Sequence, residues 1–199
     1  MPGPYADAPR QGVDKMHDPA LQALIDKQAI TECLMRYCRG VDRADRAAFE
    51  SAYWPDATDD HVKYVGGVPG LVEFVFAAIA RMRTSHMMGN ILIELVSDTH
   101  AYCESYVRAY HEAPGGLFGP EEMELGARYI DLFEKRNGEW RIRHRKVCID
   151  YYRNGAATSD WKNGRYVEGP SRGEKQPADP LYGMRAEFER IRKDAAHTP

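Results

Sequence analysis

The sequence predicts an α+β fold in which helices precede a mostly antiparallel sheet. Apolar residues first recur at three- and four-residue steps, which is the helical period. Beyond residue 89 the chain changes to long segments rich in β-branched and aromatic residues, which favour strands. Asn137-Gly138, between two such segments, is a strong β-hairpin signal. Helices closing one end of a strongly curved sheet would form a cone-shaped α+β barrel around an interior pocket.

Three helices are expected ahead of the sheet, over residues 19–39, 45–53 and 71–83. The first should stop at Gly40, because glycine commonly ends a helix. Asp45 is a suitable N-cap for the second, which Trp54-Pro55 should end. The third follows the glycine-rich turn 66–70, and its apolar residues indicate that it packs on a sheet.

Five strands are expected, over residues 57–65, 90–96, 101–111, 124–134 and 140–152. Their partial alternation of apolar and polar residues is typical of strands with one buried face. Four arginines alternate along them, at 128, 141, 143 and 145, which predicts a solvated face. The alternative is that one of them points inward and holds an anionic oxygen.

The chain of 199 residues is long enough for one domain with a real core. Residues 1–18 lack periodicity and are expected to form a flexible arm, and residues 19–153 the single domain. Residues 154–199 form a polar extension whose end, from Met184 to Ala196, regains helical character. The extension is expected to wrap its own or a neighbouring subunit.

Composition argues against several classes of function. The 27 basic and 30 acidic residues leave a net charge of −3, so nucleic acid is not an expected partner. No apolar run approaches the roughly 18 residues of a membrane span, and the first residues lack the features of a secretory signal. A cytoplasmic location is the resulting expectation. The four cysteines have no metal-ligand spacing and are expected to be free thiols.

Asp42 and His86 are the leading candidates for chemistry. They lie at the ends of different predicted elements, where folding can bring a carboxylate and an imidazole together. A carboxylate on one ring nitrogen fixes the tautomer and leaves the other nitrogen free to take a proton. Such a pair needs neither a metal nor a cofactor, and none is expected.

His61 follows Asp59-Asp60, which raises the alternative of a metal site. That alternative is weak because the spacing lacks the arrangement of a metal-binding motif. Among the tyrosine, phenylalanine and methionine side chains, a subset should line the pocket, and such walls suit a flat aromatic or polycyclic ligand.

Four motifs resemble the nuclear-transport-factor-two-like superfamily, in particular its polyketide-cyclase-like (SnoaL-like) branch, which includes scytalone dehydratase and hexachlorocyclohexane dehydrochlorinase. They are Gly40-Val41-Asp42, Trp54-Pro55-Asp56-Ala57, Ser85-His86-Met87-Met88-Gly89-Asn90 and Lys135-Arg136-Asn137-Gly138-Glu139-Trp140. The resemblance covers roughly residues 20–152. It implies a cystatin-like α+β barrel.

The resemblance implies that His86 is the base and Asp42 its orienting partner. It also implies that His111 protonates a leaving hydroxyl, with Tyr110 as the alternative if the register differs by one residue. The chain departs from the dehydratase pattern at Val41, where that enzyme has tyrosine, and near Tyr129, where it has asparagine. The candidates for substrate binding are His61, Tyr64, Tyr110, Tyr129, Met88 and Asn90.

These features predict a cofactor-independent lyase that removes water, or a small carbonyl such as formaldehyde, from a hydrophobic, aromatic small molecule. One alternative is an isomerase or cyclase of steroid or polyketide type. Another is a non-catalytic small subunit of a ring-hydroxylating dioxygenase. In each case a homo-oligomer, a trimer or a dimer, is expected, because the open side of a curved sheet exposes apolar surface.

Overall fold

The computed structural model describes residues 18–113, 115, 121–161, 163–164 and 172–196. Apart from Asp18, the predicted N-terminal arm lies outside these residues. The four helices are α1 (Pro19–Arg43), α2 (Arg46–Glu50), α3 (Val68–Ile79) and α4 (Pro180–Ala196). No helix in the described part of the chain is both long and apolar enough to cross a membrane.

The six strands form one curved sheet in the order β2-β1-β6-β5-β4-β3. They are β1 (Tyr53–Asp60), β2 (Val65–Gly67), β3 (Arg83–Leu95), β4 (His100–Glu112), β5 (Glu122–Arg136) and β6 (Glu139–Gly155). Among the described strands only β1 and β6 pair in parallel, and the other neighbours are antiparallel. Helices α1 and α3 contact the sheet, which confirms the predicted α+β class.

Helix α1 does not stop at Gly40, and this part of the prediction was wrong. It continues to Arg43 and is capped by Ala44 in the left-handed conformation, at φ 51°. Gly40 serves packing instead, because a Cβ there would lie 2.6 Å from backbone and side-chain atoms of Phe49. The glycine therefore lets α2 approach α1 closely, and the extra turn carries Asp42 into the interior.

The second and third helices begin near their predicted starts and end earlier than expected. Asp45 is the N-cap of α2, and its side chain accepts a hydrogen bond from the backbone N–H of Ala48 at 3.0 Å. Tyr53 is buried as part of β1 rather than of the helix. Because α3 ends at Ile79, β3 begins at Arg83, seven residues before its predicted start at residue 90. His86 therefore lies within a strand.

The β5–β6 hairpin is confirmed at Asn137 and Gly138, whose φ angles are 51° and 85°. Two positive φ angles match a type I′ turn, which follows the twist of the strands. Asp26 of α1 accepts hydrogen bonds from Lys135 Nζ at 2.8 Å and Trp140 Nε1 at 2.9 Å. The hairpin is thereby joined to the helical layer at the end opposite Asp42.

The described part of the C-terminal extension packs on the end of α1. The backbone N–H of Gln176 donates to the carbonyl of Arg43 at 2.7 Å, and the Tyr182 hydroxyl donates to Asp45 Oδ2 at 2.9 Å. Arg43 also pairs with Asp179 at 3.4 Å. The division of the chain at residues 18 and 153 stays a prediction.

Replacing Gly40 with alanine is expected to lower the free energy of unfolding by about 1 to 3 kcal/mol, because the added methyl must displace Phe49. Gly183→Ala in α4 is the matched control, since a Cβ there meets nothing within 4 Å. Urea denaturation of both variants measures the difference. Equal stabilities for the two would contradict the packing role of Gly40.

Candidate active site

A cavity of about 580 Å³ lies between α3, the turn after β1 and the sheet. Its walls are mostly apolar and aromatic. Part of the wall consists of two rows of residues that are paired across neighbouring strands. One row is His86, Ala109, Leu125 and Tyr152, and the other is His111, Met123 and Asn154. The helical side contributes Phe74 and Ala78, and the turn after β1 contributes His61, Val62 and Lys63.

His86 and Asp42 meet at one side of this cavity. His86 Nδ1 lies 2.6 Å from Asp42 Oδ1, and the His86 backbone N–H donates to Asp42 Oδ2 at 2.9 Å. The Thr84 hydroxyl also donates to Oδ1, at 2.9 Å. Because the carboxylate accepts from Nδ1, the neutral imidazole carries its lone pair on Nε2. The ring is therefore oriented to accept a proton at that nitrogen.

The pKa of Asp42 reflects two opposing effects. Burial favours the neutral carboxyl and raises the pKa, while the hydrogen bonds and charge of His86 and the Thr84 hydroxyl lower it. The stabilising contacts prevail, and the pKa of Asp42 lies below its ordinary value. Asp42 is consequently ionised at neutral pH and available to support a proton on His86.

His111 faces His86 with the ring centroids 5.7 Å apart and the planes at 80°. Burial, together with the nearby His86, lowers the pKa of His111 to about 4. Within the described residues, its Nδ1 is buried without a hydrogen-bond partner. His111 is therefore neutral at neutral pH, which disfavours it as an imidazolium acid, the role that the family resemblance implied.

His61 lies in the same cavity and has a carboxylate of its own. Its Nδ1 is 3.3 Å from Oδ1 of Asp59, whose side chain is fully buried. The other oxygen of Asp59 accepts a hydrogen bond from the Tyr53 hydroxyl at 2.7 Å. The cavity thus holds two histidines that are each hydrogen-bonded to an aspartate.

Tyr129 lines the cavity above a buried ion pair. Arg145 donates to both oxygens of Asp131 at 2.7 Å, and its guanidinium lies 4.0 Å from the Tyr129 ring centroid. The predicted solvated face is wrong for Arg145, which is fully buried, and the alternative of one inward arginine on an anionic oxygen describes it. A register shift between Leu132 and Phe133 on β5 reverses the alternation of β6, so Arg145 points inward.

Four predicted substrate-binding residues do not line this cavity. Because successive strand residues alternate faces, Tyr110 lies on the opposite face of β4 from His111. Its hydroxyl donates to Glu122 at 2.9 Å. The Tyr64 hydroxyl donates to the Gly67 carbonyl at 2.6 Å. The other two, Met88 and Asn90, line a separate groove of about 330 Å³.

Several cavity residues were not singled out from the sequence, among them Met82, Met123, Leu125, Ile149 and Asn154. Met123 and Leu125 are opposite His111 and Ala109 in the β4–β5 pairing. The strand register would have identified them, because residues paired across neighbouring strands lie on the same face of the sheet. That register was not available from the pattern of the sequence alone.

The model of the SnoaL-like domain family matches residues 22–146, which is more than half of the chain. The chain belongs to this family. The match includes both the turn of α1 that carries Asp42 and the strand that carries His86. Family membership and the layered fold therefore confirm the recognition made from the motifs.

Relatives of this SnoaL-like chain include the terrestric acid biosynthesis cluster protein E of Penicillium crustosum, which is 27% identical over 131 residues. That alignment covers 61% of this chain and 81% of the fungal protein.

Two of the solved structures that share the fold come from Novosphingobium species. One, provisionally named a scytalone dehydratase, is from Novosphingobium aromaticivorans and is 19% identical, with a TM-score of 0.60. Its alignment covers 71% of this chain and 98% of the other. The other, the LinA-type3 hexachlorocyclohexane dehydrochlorinase of Novosphingobium barchaimii LL02, is 20% identical, with a TM-score of 0.63 and coverages of 71% and 97%.

Replacement of His111 by phenylalanine should make the free energy of unfolding less dependent on pH. The unfolded chain binds a proton on this histidine below about pH 6.5, whereas the folded chain resists it until about pH 4. Wild-type stability therefore falls as the pH drops through that range. Between pH 7 and 4.5 the wild type should lose about 2 to 3 kcal/mol more than His111→Phe.

Urea denaturation at the two pH values measures this difference. His100→Gln, at an exposed position, is the control and should show the wild-type dependence. An identical pH dependence in His111→Phe and the wild type would show that His111 is readily protonated in the folded protein.

Proposed function

We propose that this SnoaL-like protein is a cofactor-independent lyase in which His86, oriented by Asp42, removes a proton from a hydrophobic small molecule. The observation that carries the proposal is the 2.6 Å contact between His86 Nδ1 and Asp42 Oδ1 at the wall of a mostly apolar cavity. A positioned imidazole of this kind contributes about 100- to 10,000-fold to a proton-transfer step.

The cavity supports an aromatic or polycyclic substrate. Its volume of about 580 Å³ lies within the range of small-molecule sites. Phe74, Tyr129 and Tyr152 offer ring surfaces, and Met82 and Met123 offer polarizable thioethers that contact aromatic ligands favourably. Polar side chains are few and concentrated at the histidines, so they would orient a mostly apolar molecule.

The proposed step balances without an oxidant or a reductant. His86 Nε2 takes a proton from a carbon, the electrons of the broken C–H bond form a C=C bond, and the adjacent C–O bond breaks to release the oxygen, which leaves as water after protonation. In the retro-aldol variant His86 takes the proton of a hydroxyl, the C–C bond breaks, and the oxygen becomes the carbonyl of a departing small molecule such as formaldehyde. The carbon that keeps the electron pair of the broken bond takes the proton back from His86. Tyr129 is a candidate hydrogen-bond donor to developing negative charge, because burial keeps its pKa well above the ordinary value.

The relatives support this class of reaction by their names, since one of the two structures is called a dehydrochlorinase and the other a dehydratase. Both names describe eliminations. The fungal relative is named for a biosynthetic cluster, which agrees with a small-molecule substrate. A cytoplasmic location and assembly into a trimer or dimer stay predictions.

The proposal predicts that His86→Gln and Asp42→Asn lose at least about 100-fold in turnover, because each removes the oriented base while keeping a similar shape. Mass spectrometry of reactions with hydroxylated aromatic and diaryl compounds, without added cofactor, detects the loss of water or formaldehyde. His100→Gln is the control and should match the wild type.

Two outcomes would contradict the proposal in different ways. A His86-dependent product of unchanged mass would identify an isomerase or cyclase on the same scaffold. Equal turnover by the wild type and His86→Gln would remove His86 from the chemistry altogether.

A further inference from the structure

We propose that His61, held by Asp59, is the general acid that protonates the leaving group while His86 acts as base. This inference rests on the proposed elimination and assigns its second proton transfer. The two histidines belong to different parts of the fold, since His86 lies on β3 and His61 on the turn after β1. Both line the same cavity, so a single bound molecule can contact the two rings.

The contact with Asp59 determines which nitrogen of His61 is available. His61 Nδ1 lies 3.3 Å from Asp59 Oδ1, which leaves Nε2 for a ligand in the cavity. An imidazolium at this position would carry a proton on each nitrogen, one toward Asp59 and one for transfer. The arrangement resembles the His86–Asp42 pair, but in the proposed reaction His61 begins protonated whereas His86 begins neutral.

Asp59 is a buried carboxylate, and one of its oxygens contacts the His61 imidazole. Asp59 and Asp131 are both fully buried, and a buried carboxylate is costly without a cation or several hydrogen bonds. Arg145 gives two hydrogen bonds to Asp131, whereas Asp59 accepts one from the Tyr53 hydroxyl. A positive charge on His61 would give Asp59 an ionic partner at its second oxygen.

Other titratable groups around His61 come from several elements. Its own strand and turn contribute Asp59 and Lys63, and the cavity also holds His86 and His111. Asp59 is linked in turn to the Tyr53 hydroxyl and, by charge, to the Asp131–Arg145 pair of the sheet. Asp59 contacts the imidazole itself, at His61 Nδ1. Its carboxylate is therefore the group whose removal should alter the protonation of His61 most.

The backbone next to His61 is strained in a way that fits a functional position. Val62 has φ 61°, a left-handed conformation that a β-branched residue rarely adopts. The turn is held by hydrogen bonds from the His61 N–H to the Tyr64 carbonyl at 2.7 Å and from the Lys63 N–H to the His61 carbonyl at 2.6 Å. Tyr64, in turn, stacks on Phe74 of α3, with the ring centroids 5.6 Å apart. Strain of this kind persists only when surrounding contacts enforce it, and here it is adjacent to the ring that faces the cavity.

His111 is the competing candidate for the acid, and its environment opposes that role. Burial holds its pKa at about 4, so it has no transferable charge-bearing proton at neutral pH. It is also next to His86, where a second positive charge would oppose protonation of the base during the reaction. His61 is partly exposed and has a carboxylate partner of its own.

The complete step moves two protons and two electron pairs, those of the C–H bond and of the C–O bond. His86 Nε2 takes the proton from carbon, the C=C bond forms, the C–O bond breaks, and the departing oxygen takes the proton from His61 Nε2. Water leaves, His86 is cationic and His61 is neutral. Exchange of one proton with solvent at each ring restores the starting state.

The test uses two aryl ketones that differ only in the β-leaving group, which is hydroxide in one and 4-nitrophenoxide in the other. Hydroxide needs a proton to leave, whereas nitrophenoxide does not. His61→Gln should lower kcat at least about 100-fold for the hydroxide compound and less than about threefold for the nitrophenoxide compound. His86→Gln should lower kcat for both, and His100→Gln should change neither.

A pH profile supplies a second measurement. For the hydroxide compound, wild-type kcat/KM should fall at high pH as the acid loses its proton, and this descending limb should be absent in His61→Gln and shifted to lower pH in Asp59→Asn. Thermal unfolding of each variant checks that it is folded at the assay temperature. His61→Gln is the decisive variant, because its site is partly exposed, while Asp59 is fully buried.

The outcomes separate this inference from the function on which it rests. Equal losses for the two compounds in His61→Gln, with His86→Gln behaving as expected, would overturn the acid role alone. Retention of the descending limb in His61→Gln would do the same. Absence of turnover by the wild type with both compounds, or full activity of His86→Gln, would overturn the proposed elimination together with its acid.

Discussion

The Asp42 carboxylate is the contact on which the rest of the site depends. It lies on the last turn of α1 and accepts three hydrogen bonds from β3, two from His86 and one from Thr84. These bonds join the helical layer to the edge strand of the sheet. Asp42 therefore sets the position of the strand and the orientation of the imidazole together, and an error in the length of α1 would disturb both.

Burial of this carboxylate is tolerable because its partners offset the cost of desolvation. The pKa of Asp42 is below its ordinary value even though burial by itself raises it, so the contacts with His86 and Thr84 outweigh the loss of water. The same requirement recurs at the centre of the molecule, where Asp131 pairs with Arg145 between aromatic rings. Paired charges therefore lie beside a mostly apolar cavity, where an unpaired charge would be costly.

The elements that the sequence predicted well are those encoded by local chemistry. The Asn137-Gly138 turn and the Asp45 cap depend on a few adjacent residues, and both occur as expected. Gly40 was misread because its role is a contact with Phe49, which the local pattern does not contain. For Arg145 the preferred solvated face was wrong, because the β5–β6 register shift reverses the alternation of the strand, and the alternative of one inward arginine was the correct one.

Site residues could be predicted where a sequence motif lies on a predicted helix or strand. They were harder to predict where the strand register determines which face of the sheet a side chain lies on. Asp42 and His86 were found as a pair, whereas Tyr110 was an alternative to its neighbour His111 until the pairing of β4 with β3 and β5 was known. The contact between His61 and Asp59 could not be predicted for another reason. Residues two apart on an extended strand share a face, but the turn at Val62 is needed to direct the imidazole back to that carboxylate. The cavity holds three histidines, of which His86 and His61 contact aspartates. We expect their roles to differ because their partners differ. His86 and His61 each have a carboxylate that can stabilise a proton on the ring, whereas Nδ1 of His111 is buried without a hydrogen-bond partner among the described residues.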